Sequence, residues 1–353
     1  MVNYSVDRYF IVDNKSILLD FPDIEKYDSE KMYKIYDNWP EIAEEAYFSN
    51  LKKIEIKDIE HIVFAGMGGS GTIGDLFSAI LSKTNIHVDV VKGYLLPKTV
   101  DKNSLVITTS ISGNTVETLT VLENAREIGC QTIAFTDGGK MEIYCQEKNI
   151  QFRKIPLQHS PRASFTAFLY SMLRVLQPVL PINESDIIES IDEMKKLEKV
   201  ICSKNLSESN IALNLANWIP DILVIYYPWG LEASAIRFKN SLQENSKIHA
   251  ISEDVIEVCH NGIVSWSKSY NIKPILVRGT DDYVKTKERW GILKEFFEKE
   301  EIEYKEIFSI SGNILTKLIN LIYLFDYTSI YKAVLTGIDP TPVKAIDFVK
   351  DRL

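Results

Sequence analysis

Short apolar runs alternate with amphipathic stretches along the first half of the chain. The runs that predict strands are residues 61–65, 86–91, 104–109, 131–135 and 150–154. Regular alternation of strands and helices predicts a parallel sheet with helices on both faces. In such a sheet, ligands bind outside the carboxyl ends of the strands.

The same alternation returns in the second half, after an interruption. Residues 155–162 contain two prolines and predict a connection between domains, and a helical block follows over 163–218. Further strands are predicted at 221–226, 247–251, 273–277 and 303–309, with helices at 231–245, 283–299 and 313–336. The fold class predicted is therefore α/β, with two doubly wound parallel-sheet domains. The first covers residues 1–155 and includes a partly helical N-terminal extension (28–52), and the second covers 156–353.

Composition narrows the class of protein. The chain has 353 residues, 45% of them hydrophobic and 25% charged, which leaves room for two domains. A net charge of −9 argues against a broad nucleic-acid surface. The start of the chain lacks a signal-peptide pattern, and no apolar run is long enough to span a bilayer. Membrane and nucleic-acid partners are not expected.

Cysteine and histidine usage bears on location and metals. Cys130, Cys145, Cys202 and Cys259 lie far apart, which favours reduced thiols in a cytoplasmic protein. The sequence contains no H-E-x-x-H motif and no cluster of cysteine and histidine, so a zinc site would have to combine distant residues. No metal is expected.

The stretch 104–119 carries the clearest chemical signal. A buried strand runs into a turn with the hydroxyls of Ser110, Ser112 and Thr115, and a helix is predicted to start at Asn114. Free backbone N–H groups and the helix dipole at such a start favour a phosphate dianion. The plain alternative is a well-capped helix, since Ser and Thr are common at that position.

A second turn of this kind lies upstream. Residues 66–71 read Gly-Met-Gly-Gly-Ser-Gly between a predicted strand and a predicted helix, and the glycines let a ligand approach the backbone. The spacing does not fit the dinucleotide fingerprint, and the strand that follows ends without an acidic residue. Two phosphate-type turns on separate strands indicate one small phosphorylated ligand.

These two turns resemble the phosphate loops of sugar isomerase (SIS) domains. The wider chain resembles the bifunctional phosphoglucose/phosphomannose isomerases of archaea and some bacteria, from about residue 40 to the C-terminus. The stretches that carry this resemblance are 93–97, 136–140, 160–163, 237–247, 260–266 and 337–343. The resemblance implies two SIS domains of flavodoxin-like fold. It implies phosphate binding by the residues Gly69, Ser70, Gly71, Ser110, Ser112 and Thr115.

The resemblance also implies a reaction, the reversible aldose–ketose isomerisation of glucose 6-phosphate, and of mannose 6-phosphate, to fructose 6-phosphate. Glu244 matches the family's catalytic glutamate, which moves a proton between C1 and C2 of a cis-enediol. Arg162 matches the arginine that stabilises the enediolate. His260 matches a ring-opening histidine that relatives donate across a homodimer interface. No cofactor is implied. Taken alone, Glu244 and Arg162 fit solvated helix-end residues and His260 fits a core histidine.

Two further residues are implied by the resemblance. Lys350 is the candidate for a C-terminal lysine that assists at the ring oxygen, with Lys344 as the alternative in register. Thr341 occupies the position that the family links to accepting both epimers. The histidine segment departs from the family pattern, because Gly262 replaces a usual glutamate and Cys259 precedes the histidine.

Two other functions stay open. An SIS-type sugar-phosphate deaminase or deglycase would use the same phosphate turns and a similar base. A non-catalytic sugar-phosphate sensor would need the turns but not Glu244, Arg162 and His260 together. Sensors of this class commonly carry a DNA-binding segment, for which residues 28–50 have few basic side chains.

Overall fold

The computed structural model describes residues 19–56, 59–268 and 271–352. Its first sheet contains β1 His61–Ala65, β2 His87–Val91, β3 Leu105–Ser110, β4 Gln131–Thr136 and β5 Gln151–Lys154. All pairs are parallel, in the order β2-β1-β3-β4-β5. This is the doubly wound order of the flavodoxin type, so the predicted fold class is confirmed for this half.

The second sheet repeats the arrangement with one strand fewer. It contains β6 Ile222–Tyr227, β7 His249–Asp254, β8 Lys273–Arg278 and β9 Lys305–Phe308. The order β7-β6-β8-β9 is again parallel throughout. The predicted boundary at residue 155 falls directly after β5. The division into domains 1–155 and 156–353 stays a prediction, and residues 1–18 and 353 lie outside the described residues.

Helices cover the sheets and connect them. They are α1 Phe21–Tyr27, α2 Met32–Asp37, α3 Trp39–Tyr47, α4 Gly68–Leu81, α5 Val116–Ile128, α6 Gly139–Lys148, α7 Phe165–Leu176, α8 Glu184–Ile201, α9 Ile211–Trp218, α10 Glu232–Ser241, α11 Val255–Val258, α12 Val284–Lys299, α13 Ile314–Leu335 and α14 Lys344–Lys350. No helix within the described parts of the chain has the length and apolar character needed to cross a bilayer.

The central helix of the core is α13. Its residues from 315 to 334 are all buried, because it packs against α8, α9 and α10. A helix that is buried on every side needs apolar residues all round, and α13 has them over most of its length. One hydrophobic cluster joins residues of both sheets, including Phe64 in β1 and Ile225 in β6. The two halves therefore share a core.

The N-terminal helices belong to this core. Tyr36 and Trp39 are fully buried, and the indole Nε1 of Trp39 donates to the backbone oxygen of Ala163 at 2.8 Å. That contact fixes the start of the connection between the sheets, directly beside Arg162. The predicted helical segment 28–52 thus forms short helices that support the site.

Two predicted boundaries differ from the structure around residue 245. After α10 the chain continues as one π-helical turn, Leu242–Ser246, and Lys247 then adopts a left-handed conformation with φ of 58°. A left-handed residue cannot continue a helix or begin a strand. Strand β7 consequently starts at His249 and not at residue 247.

Candidate functional site

The first glycine turn joins β1 to α4 at the carboxyl end of the sheet. Helix α4 begins at Gly68, so Gly69, Ser70 and Gly71 lie in its first turn. The backbone N–H groups of Ser70 and Gly71 donate to the backbone oxygen of Met67, at 3.1 and 3.3 Å. A Cβ at Gly71 would lie 2.8 Å from the backbone oxygen of Gly66. Glycine at position 71 is therefore required by the close approach of the turn to itself.

The second turn follows β3, the neighbour of β1. The hydroxyl of Ser110 donates to Oγ1 of Thr115 at 2.9 Å, and the backbone N–H of Asn114 donates to Oγ of Ser112 at 3.4 Å. Helix α5 begins at Val116 with Thr115 as its N-cap, two residues later than predicted. The delay arises because Gly113 is left-handed, with φ of 68°. The hydroxyls are thus held together ahead of the helix start.

We expect Gly113→Ala to damage this turn severely. A Cβ at Gly113 would lie 1.8 Å from the backbone oxygen of Gly138, and the positive φ adds strain. The variant should unfold at a lower temperature and lose stabilisation by inorganic phosphate. Gly291→Ala in α12 is the matched control, because a Cβ there meets open space and the change should stabilise by about 0.5–1 kcal/mol. Equal melting temperatures for the two variants would contradict this account of the turn.

A cleft of about 780 Å³ lies between residues of both halves of the chain. Its size suits a small ligand. The residues that line it include Gly68, Lys92, Ile236, Lys239, Asn240, Gln243, Glu244, Lys247 and 342–346. The first glycine turn, the π-helical turn and the C-terminal segment therefore meet at one opening. No residue of the second turn is among those that line it.

Glu244 and Arg162 face each other at this cleft. Oε2 of Glu244 lies 3.8 Å from Nη1 of Arg162, and Glu244 is partly exposed while Arg162 is 5% exposed. The Arg162 guanidinium donates from Nε to Oδ1 of Asn245 at 2.6 Å. It donates from Nη2 to the backbone oxygens of Pro340 and Thr341, at 2.7 and 2.8 Å. These bonds fix the orientation of the guanidinium and leave its Nη1 directed at the carboxylate of Glu244.

A buried ion pair between Arg237 and Asp326 holds the backbone of Arg162 in place. Arg237 donates to Asp326 at 2.6 Å and, through Nη2, to the backbone oxygen of Arg162 at 2.8 Å. Burial disfavours the charge of Arg237, but the carboxylate of Asp326 outweighs it and raises the pKa of Arg237. A Cβ at Gly69 would lie 2.9 Å from Nη1 of Arg237, so the first turn packs against the same guanidinium. Sequence reasoning missed this pair.

Lys247 is a second residue that the sequence analysis did not single out. Its left-handed backbone turns the side chain back, and Nζ donates to the backbone oxygens of Glu244 and, at 3.2 Å, of Pro340. Burial of the ammonium, followed by the nearby charge of Arg162, lowers the pKa of Lys247 to about 8. A cation with a lowered pKa therefore stands beside the candidate base.

His260 lies away from this group. It follows α11, its side chain is exposed, and it is not among the residues that line the cleft. The carboxylate of Glu253 lies against Gly262, where a Cβ would come within 2.9 Å of Oε2. The carboxylate of Glu253 therefore lies near the position of the glutamate that the family usually has where this chain has Gly262.

The C-terminal candidates are divided between the two ends of α14. Lys344 begins the helix and lines the cleft, whereas Lys350 ends it and is not among the residues that line the cleft; both side chains are exposed. Thr341 stands just before α14, and its buried hydroxyl has no hydrogen-bond partner among the described residues. The backbone oxygen of Thr341 binds Arg162, which ties this residue to the centre of the site. The choice between the lysines stays a prediction.

Comparison with known structures shows the fold. A hypothetical protein from Thermus thermophilus superposes with a TM-score of 0.68 over 94% of this chain and 89% of its own, at 13% identity. The C-terminal domain of a glucosamine-fructose-6-phosphate aminotransferase from Francisella tularensis gives a TM-score of 0.66 over 87% and 97%, at 16% identity. At these identities the likeness concerns the fold alone.

Sequence comparison shows the family. Residues 55–178 match the SIS domain, and residues 207–353 match the bacterial phospho-glucose isomerase C-terminal SIS domain. A bifunctional phosphoglucose/phosphomannose isomerase of Caldicellulosiruptor bescii is 33% identical over 91% of this chain and 98% of its own length. Another, from Aquifex aeolicus, is 30% identical over 92% and 98%. The chain therefore belongs to the family of bifunctional phosphoglucose/phosphomannose isomerases.

Proposed function

We propose that this protein interconverts glucose 6-phosphate and mannose 6-phosphate with fructose 6-phosphate by proton transfer through a cis-enediol. The observation that supports this most strongly is the carboxylate of Glu244, 3.8 Å from the Arg162 guanidinium in a cleft that also meets the first glycine turn. Formation of an enediolate requires a base that removes the proton and a fixed cation that stabilises the negative charge, and this cleft holds both groups. The cytoplasmic location predicted from the sequence belongs to this proposal.

Each group has one task in the proposed reaction. The first turn, with Gly69, Ser70 and Gly71, binds the substrate phosphate beside the cleft that Gly68 lines. As the family resemblance implies, Ser110, Ser112 and Thr115 of the second turn, which follows the neighbouring strand β3, bind the same phosphate from outside the residues that line the cleft. Helix dipoles of α4 and α5 favour the dianion there. Glu244 takes the C2 proton of the aldose and returns it at C1, while Nη1 of Arg162 stabilises the negative charge that develops on oxygen.

Ring opening is assigned to His260 together with a C-terminal lysine. The exposed position of His260, outside the cleft of its own chain, supports its donation to the site of a second copy in a homodimer. Lys344 or Lys350 assists at the ring oxygen, and Thr341 adjoins the sugar C2 group. This part of the proposal rests on the family resemblance and on where α11 and α14 lie.

Mixing two inactive variants tests the donation of His260. Glu244→Gln and His260→Asn should each be inactive alone. A mixed dimer then holds one intact site, so random mixing after unfolding and refolding should restore about a quarter of wild-type activity. No recovery in a refolded mixture, with wild type refolding fully in parallel, would place His260 and Glu244 of the same chain in one site.

The lowered pKa of Lys247 predicts a pH effect. Its ammonium is present below pH 8 and lost above it, so kcat/KM of the wild type should fall as pH rises through about 8. Lys247→Arg retains the positive charge and should move that fall to higher pH. Lys239→Arg, on the same cleft, is the matched control and should leave the profile in place. An unchanged profile in Lys247→Arg would show that the fall in kcat/KM does not arise from loss of the Lys247 charge.

The function itself is tested by assays run in parallel. Purified protein should form fructose 6-phosphate from glucose 6-phosphate and from mannose 6-phosphate, and should release no ammonia from glucosamine 6-phosphate. Conversion of the glucose epimer alone would narrow the substrate range and put the role of Thr341 in doubt. Ammonia release without isomerisation would establish the deaminase alternative, and binding of all three sugars without turnover would establish the sensor.

A further inference from the structure

Three metal-ligating side chains meet at the amino end of the first sheet. His61 is the first residue of β1, and His87 is the first residue of β2. The strands are parallel and in register, with His61 beside His87 and Val63 beside Asp89. Because side chains alternate between the faces of a sheet, His61, His87 and Asp89 project from the same face.

The distances between these side chains suit a single small cation. Nε2 of His61 lies 2.9 Å from Oδ2 of Asp89, and Nε2 of His87 lies 3.4 Å from the same oxygen. One potential ligand atom from each residue falls within 4.8 Å of the others. A tetrahedral zinc ion with bonds of about 2.0–2.1 Å keeps its ligands about 3.4 Å apart. Small rotations of the three side chains would bring their ligand atoms to these distances.

A partly buried hydrogen-bond chain orients the first histidine. Oγ of Ser104, which is 1% exposed, lies 3.1 Å from Nδ1 of His61. The same hydroxyl donates to Oδ1 of Asp101 at 3.2 Å and accepts from the backbone N–H of Asp101 at 3.1 Å. With its proton committed to Asp101, Ser104 accepts the Nδ1–H of His61. A metal ion between Nε2 of His61 and Oδ2 of Asp89 would replace the hydrogen bond that joins these two atoms, and the Nδ1–H bond to Ser104 would keep the ring in the tautomer that a metal ligand needs.

We infer that His61, His87 and Asp89 bind one divalent transition-metal ion, with two imidazole nitrogens, one carboxylate and water as ligands. Zinc is the ion that this donor set suits best. The site lies at the end of the sheet opposite the two phosphate turns. Its role is therefore to join β1 to the edge strand β2, and it takes no part in isomerisation.

Cobalt(II) tests this site directly, because its visible absorption reports the ligand geometry. The purified full-length protein should bind one equivalent saturably, zinc should displace it, and zinc should raise the melting temperature. His87→Gln should abolish all three effects. Because the His87 side chain is exposed, this variant should fold as the wild type does, and its isomerase activity should equal that of the wild type. Asp89→Asn should weaken cobalt binding at least tenfold.

His249→Gln is the matched control, since His249 is an exposed first residue of a strand in the other sheet. It should bind cobalt as the wild type does. Absence of saturable binding to the wild type, or wild-type binding by His87→Gln, would overturn the proposed site. Chelation by EDTA should lower the melting temperature and leave turnover intact. Loss of turnover on chelation would contradict a purely structural role for the metal ion. Failure of the isomerase assay alone would count against the proposed function but would not affect the evidence from cobalt binding.

Discussion

Glu244→Gln should lower kcat by about 10²–10⁴-fold, the range expected for loss of a general base. The amide has nearly the same shape as the carboxylate but cannot take the C2 proton. KM should change little, because the phosphate turns and not position 244 bind the substrate. The side chain is partly exposed at the cleft, so the melting temperature should also stay close to that of the wild type.

Glu295→Gln, on the exposed face of α12, is the control for charge removal and should retain full activity. A kcat for Glu244→Gln within threefold of wild type would remove this residue from proton transfer. A large rise in KM at unchanged kcat would instead make it a binding residue. Steady-state kinetics in both directions separate these outcomes.

Arg162→Lys should be the second most damaging change. Lysine keeps the charge but cannot bind Asn245 and the carbonyls of Pro340 and Thr341 while also facing Glu244. We expect kcat to fall by about 10²–10³-fold, as for loss of a group that stabilises developing charge. The loss should appear in kcat more than in KM, since the enediolate charge exists only during the reaction.

The buried position of Arg162 means that stability must be measured beside activity. The carbonyls of Pro340 and Thr341 would lose a donor, so urea unfolding should show a lower free energy of unfolding. Activity is then compared at a temperature where the variant is fully folded. Loss of stability with kcat unchanged would make Arg162 a structural residue and contradict its role in catalysis.

The pattern of apolar and polar residues was sufficient to predict the sheets. Strand β1 matches the prediction residue for residue, because a buried parallel strand is a continuous apolar run with turn residues at its ends. The π-helical turn before Lys247 was not predicted. Its residues Asn245 and Ser246 donate to Ser329 of α13, and a contact between residues so far apart in sequence leaves no local pattern.

The candidate site was likewise predictable from the sequence only in part. The phosphate turns and Glu244 follow from local sequence and resemblance, since glycine and hydroxyl spacing is visible along the chain. The contact of Arg237 with Asp326 and the approach of His61 to His87 depend on how helices and strands are placed in space. No local sequence pattern indicates either contact. The role of His260 stays a prediction, because it depends on a second copy of the chain. The choice between Lys344 and Lys350 also stays a prediction.

Hydrogen exchange into the sugar tests the central claim most directly. Fructose 6-phosphate is incubated with enzyme in D₂O, and NMR follows deuterium entering at C1. If the carboxylate of Glu244 moves the proton through an enediol, the wild type should incorporate deuterium at C1 and Glu244→Gln should show none on the same time scale. Exchange by Glu244→Gln at the wild-type rate would contradict the account.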